Sequence, residues 1–106
     1  MPKYLLQGSY SPEGTQGIMK WGGSQRKEAV EQAAKSLGGK LESFYFGFGE
    51  SDAFAVIEVP DSVSAAAISL VVNASGTIRC KTTVLITPEE MDAAAGKTVS
   101  YRAPGR

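Results

Sequence analysis

The chain has 106 residues, 42% hydrophobic and 21% charged, and its eleven basic and eleven acidic side chains cancel. This length gives a single domain of ordinary folded composition, and a neutral chain without a basic block offers no electrostatic footprint for nucleic acid or an anionic membrane. With no histidine and one cysteine, Cys80, it lacks the parts for Ser-His-Asp or Cys-His catalysis, histidine-ligated zinc or haem, an iron–sulfur cluster and an intrachain disulfide.

The start, Met1-Pro2-Lys3-Tyr4, has no apolar leader region, and no apolar run approaches the ~18 residues of a membrane span. A cytoplasmic protein without a resident cofactor is expected. Residues Lys3 to Tyr10 read as the first strand, with Tyr4, Leu6, Gly8 and Tyr10 on one side. Ser11-Pro12-Glu13 is a helix start: serine as N-cap, proline at the first helical position, glutamate at the positive end. The helical region runs to Leu37, and Gly22-Gly23 predicts a kink or two helices in series. Ser24 is placed to cap the second piece, whose apolar stripe is Ala29, Val30, Ala33, Ala34 and Leu37. Gly38-Gly39 ends it.

Lys40 to Phe48 reads as the second strand and Asp52 to Val59 as the third, joined by a tight turn and stopped by Pro60. Gly47-Phe48-Gly49 precedes a strand rather than a helix, so it is hairpin chemistry and not a phosphate loop. Asp61 caps a helix through about Ser75 that is apolar on nearly every side, which predicts cover on more than one face. Thr77 to Ile86 is the fourth strand. Thr87-Pro88-Glu89-Glu90 is a capping box that opens a short helix to about Ala95. The domain is therefore expected over residues 1–95. The tail, 96–106, has no period, though Val99 and Tyr101 suit docking on a neighbour.

The order β-α-β-β-α-β is the split βαβ plan of a ferredoxin-like α+β domain: a four-stranded antiparallel sheet with helices on one face. Neither strand face is plainly a water face. Simple alternation sets Leu41, Ser43 and Tyr45 against Glu42, Phe44 and Phe46, and Phe54, Val56 and Glu58 against Ala53, Ala55, Ile57 and Val59. The small aliphatic set suits helices. The mixed set suits a second protein surface, so a homodimer or an assembly of dimers is expected.

By the same alternation Gln7, Ser9, Tyr45, Phe54, Glu58, Arg79 and Lys81 share one face. Glu58 with Arg79 or Lys81 is a candidate ion pair, across strands or across an interface; together these groups could also bind an anionic or aromatic small molecule. Trp21, beside the glycine break, with Tyr4 and Tyr10 forms the candidate small-ligand site between sheet and first helix. The alternative for Trp21 is core filling. Cys80 reads as a small buried hydrophobe. No nucleophile–base pair and no metal-ligand cluster is present, so catalytic residues are unassigned and no metal is expected.

Lys3-Tyr4-Leu5-Leu6 with Gly8-Ser9-Tyr10, Pro12-Glu13-Gly14, Gly22-Gly23-Ser24, Arg26, Ala29-Val30, Leu37 to Glu42, Phe44-Tyr45-Phe46 and the Gly49-to-Pro60 stretch resemble the GYD-domain proteins over residues 2–95. In the stretch matching the family's signature, Gly49-Glu50-Ser51-Asp52, Ser51 stands where tyrosine is usual. The resemblance implies a dimeric α+β barrel in which two sheets pack face to face. It implies little about activity, because related barrels include cofactor-free monooxygenases, isomerases, haem enzymes and sensing domains. Two functions follow: a non-catalytic small-ligand-binding or structural subunit, or a cofactor-independent enzyme acting on an aromatic or quinone-like compound.

Overall fold

Strand β1 (Lys3–Tyr10) runs through the middle of a four-stranded antiparallel sheet. The structure, a computed structural model, describes all residues from Met1 to Arg106. Helix α1 (Pro12–Trp21) and helix α2 (Gly23–Ser36) follow, then β2 (Lys40–Phe46) and β3 (Ala53–Glu58). Helix α3 (Ser62–Ala74), β4 (Ile78–Leu85) and α4 (Pro88–Ala95) complete the chain. The strand order is β2-β3-β1-β4, with β1 antiparallel to both β3 and β4. This is the ferredoxin-like α+β arrangement the element order predicts.

Local chemistry sets the boundaries. Gly14 donates to the Ser11 hydroxyl, Ser64 to the Asp61 carboxylate, and Thr87 and Glu90 cap α4 reciprocally. The helical region is two helices, divided at Gly22, whose φ of 88° is a left-handed value that side chains disfavour. The α2 N-cap is Gly22, so Ser24 lies inside the first turn and caps nothing. Strands β2, β3 and β4 each end a residue or two inside the predicted limits, because the flanking residues turn out of the ladder.

The core lies between the sheet and its helices. Tyr4, Leu6, Ala55, Ile57 and Val59 from the strands meet Ala34, Ala65 and Ile68 from the helices. The small set of β3 thus faces the helices, as its alternation predicts. Strand β2 departs from simple alternation. A bulge between Leu41 and Ser43 puts two residues opposite one, so Leu41 pairs with Ile57 while Ser43 pairs with Val56. Leu41, Phe44 and Phe46 therefore share the helix face; Ser43 and Tyr45 take the opposite one.

Helix α3 buries Ala65 and Ile68 but leaves Val63, Leu70 and Val71 at 79%, 72% and 72% exposure. The cover on more than one face expected for it is therefore not supplied within the chain, which gives α3 only one layer to pack against. Helix α4 and the tail lie exposed apart from the half-buried Ala103. They extend from the body, so the radius of gyration is 16.7 Å against about 13 Å for a 100-residue domain. No helix is long and apolar enough to cross a membrane.

Candidate functional site

Helices α2 and α3 lie on the same sheet face without packing tightly on each other, and the space between them is the principal cleft. Its floor is made by strand residues that carry little side chain: Gly8 on β1, Ala53 and Ala55 on β3. A Cβ on Gly8 would meet the end of the Ile78 side chain, which would have to shift to admit it. Ala33 and Val30 of α2 form one wall, Ile68 and Val72 of α3 the other, and Phe44 closes the β2 end. These groups enclose a pocket of about 80 Å³. It opens into a groove of about 680 Å³ that continues along α1 to Trp21 and Glu13.

Tyr10 and Arg26 stand where pocket meets groove and line both. The Arg26 Nε is buried and has no hydrogen-bond partner in the chain, and no carboxylate forms an ion pair with its guanidinium. Burial raises the Tyr10 hydroxyl above its ordinary pKa of 10.0, against the lowering effect of the nearby Arg26 charge. Cys80 lines the pocket from β4, and burial likewise pushes its thiol above the ordinary 9.0. Both groups are thus held protonated near neutral pH.

The backbone beneath the cleft is clamped from two sides. Asp52 accepts the Tyr10 N–H at 3.0 Å, and its own N–H donates to the Gly8 carbonyl at 2.7 Å. On the other side Asn73, at the end of α3, accepts the Cys80 N–H at 2.8 Å and donates to the Cys80 carbonyl at 3.2 Å. Asn73 thereby satisfies both main-chain groups of Cys80 on the outer side of edge strand β4.

Of the three candidate ligand residues, Tyr10 and Trp21 share the groove and Tyr4 does not. Tyr4 is 2% exposed and its hydroxyl lies 3.2 Å from the Ser62 hydroxyl. It sits six residues from Tyr10 on the same strand, about 20 Å away at the rise of an extended chain. Trp21 is 63% exposed, with the Lys20 ammonium 5.0 Å from its ring. It does not fill the core; as the last residue of α1 before the glycine break, it lines the groove.

Glu58, Arg79 and Lys81 do share the open sheet face, but at opposite ends of it. Glu58 aligns with Lys3, which aligns with Leu85, whereas Arg79 aligns with Ser9. Within the chain Glu58 pairs with Lys40 at 3.3 Å, and Lys3 pairs with Glu42 at 2.9 Å. Both pairs lie at the same end of the open face, and beside them are the half-buried Leu5, Phe54, Val56 and Leu85 with no layer over them.

Arg26 is the residue that strand and helix patterns passed over. Its trace in the sequence is position: it precedes Ala29, Val30 and Ala33 on one stripe, so a charge stands on the apolar side of α2. A family model described as the GYD domain matches residues 4–95. No curated protein and no solved structure matches the chain.

Proposed function

The chain belongs to the GYD domain family, and we propose that it is a non-catalytic, homo-oligomeric subunit that binds a small, largely apolar molecule in the cleft between α2 and α3. The observation that carries this reading is the pocket itself: small strand residues beneath two helices that leave a gap, opening onto a groove. Concave, mostly apolar space with a few convergent polar groups is the usual form of a ligand site. The pocket proper, about 80 Å³, is well below the ~300 Å³ common for whole substrates. Burial opposes ionisation of both Tyr10 and Cys80, which disfavours them as base or nucleophile, and no nucleophile–base pair lines the pocket. Binding is therefore favoured over turnover.

The same reading has a second copy of the chain cover the open sheet face. Leu5, Phe54, Val56 and Leu85 form an apolar patch there, with ion pairs at one end, and zero net charge opposes no association. A cytoplasmic setting suits the single free cysteine.

Trp21, the sole tryptophan, reports on the groove. A panel of neutral and acidic small molecules should contain members that raise the melting temperature and shift Trp21 emission together, with no consumption of ligand. The variant Ala33→Leu should abolish both effects by filling the cleft. Ligand consumption at a steady rate would overturn the non-catalytic reading. Light scattering should give a multiple of the 11.2 kDa chain mass, and Val56→Glu should return it to a monomer.

A further inference from the structure

We propose that the cleft is shaped for a short, unbranched carboxylate, its carboxylate group on Arg26 and its alkyl chain in the pocket over Gly8, Ala53 and Ala55. This rests on the ligand-binding reading above and adds the chemical class. The Arg26 guanidinium is the only charged group that lines the pocket, and its Nε is buried with no acceptor. A guanidinium cannot lose its proton, and a buried donor without an acceptor is costly. The Tyr10 hydroxyl beside the guanidinium is a neutral partner, and the unpartnered Nε suits a planar anion that accepts two parallel N–H bonds, which is how arginine meets carboxylate.

The acids nearby leave that position open. Glu13 lines the groove but forms no ion pair, and the Asp52 carboxylate is engaged by the Tyr10 N–H. The pocket behind Arg26 is lined by twelve hydrophobic residues among fourteen, so water gains few bonds there.

Size selects the tail. The pocket holds about 80 Å³, whereas an apolar cavity that admits benzene is about 150 Å³. A ring does not enter, while a chain of a few methylenes does. The opposing small residues also exclude branching, since Gly8 and Ile78 already meet at the floor. An aromatic acid is left only the open groove beside Trp21, with its ring against solvent.

The test is calorimetric titration of the full chain with straight-chain carboxylates from acetate to octanoate, alongside the matching alcohols, benzoate and inorganic phosphate. Affinity should rise with chain length to a short optimum and then stop rising. Each carboxylate near the optimum should bind about tenfold or more tightly than its alcohol. Arg26→Gln should remove that preference while still binding the alcohol as the parent does, which shows that the cleft remains folded; Arg26→Lys should keep part of it. Equal affinity for carboxylate and alcohol, an unchanged Arg26→Gln, or benzoate or phosphate as the tightest ligand would overturn the proposal. If neutral molecules bind and shift Trp21 emission while no alkanoate does, the carboxylate inference fails and the ligand-binding reading stands. If nothing binds, both fail.

Discussion

The carboxylate of Asp52 accepts the main-chain N–H of Tyr10 at 3.0 Å, and so ties the β2–β3 hairpin to the far end of β1. The β1–β3 ladder stops at the Gly8–Ala53 pair, so beyond it a side chain takes over the work of a strand. Tyr10 lines the cleft, which makes Asp52 a positioning residue for the candidate site. Asp52→Ala should cost about 1.5–3 kcal/mol, the range for losing a hydrogen bond to a charged group. Urea unfolding measures it. Asp52→Asn keeps an acceptor and should cost less. Equal losses would mean that the charge, and not the bond, matters.

Trp21→Ala should leave stability within about 0.5 kcal/mol, as for other surface substitutions. The ring is mostly exposed beside Lys20. A fall in melting temperature of many degrees would show that the ring is covered in the assembled protein.

Tyr4 should behave oppositely. It is buried at 2% exposure with one hydroxyl neighbour, Ser62, at 3.2 Å. Tyr4→Phe should cost about 1 kcal/mol, and Tyr4→Ala about 3–5 kcal/mol through the cavity it leaves. Ligand affinity of the folded Tyr4→Phe variant should be unchanged, since Tyr4 lies outside the cleft. A large affinity loss would contradict that placement.

Glu58 should couple to Lys40 rather than to Arg79 in a double-mutant cycle on the isolated chain. The Lys40 side chain is 64% exposed and that of Glu58 15%, so the coupling should be about 0.2–1 kcal/mol, screened by solvent and salt. A Glu58–Arg79 coupling that appears only above the association concentration would instead be a contact between copies.

The Asp61 carboxyl sits below its ordinary pKa of 3.8 because the Ser64 backbone N–H, then its side chain, bonds the charged form. A group with a lowered native pKa contributes stability that is complete above the unfolded value and lost as pH falls through the native one. Parent and Asp61→Asn stabilities should therefore converge as pH drops below 3.8. Parallel curves through that range would show that Asp61 does not titrate with folding.

What the sequence discloses is what lies within a few residues. Ser11, Asp61 and Thr87 cap their helices as read, because a cap is a contact three residues long. The sheet plan follows from the order of elements, and the helix face of β3 from its small side chains. The β2 bulge escapes alternation because one inserted residue inverts every later side chain. The partner of Glu58 depends on strand order and register, which put Lys40 beside it and Arg79 at the other end. The cleft depends on how far α2 and α3 stand apart, a tertiary quantity. Its one local trace is the charge of Arg26 on an apolar stripe.

The sheet order carries a consequence for how the chain is made. The central strand is synthesised first, yet Lys3 pairs with Glu58 on one side and Leu85 on the other. Only the β2–β3 hairpin can form from neighbouring residues. Closing the long loops to β1 must therefore wait, and it is the slow kind of step. Until β1 arrives, β3 presents the bare edge of Ala53-Phe54-Ala55-Val56-Ile57, uncharged and strand-forming, to any other nascent or refolding copy. Refolding yield should fall as protein concentration rises, with turbidity appearing before native Trp21 emission; a yield independent of concentration would mean that β1 closes the sheet faster than chains collide.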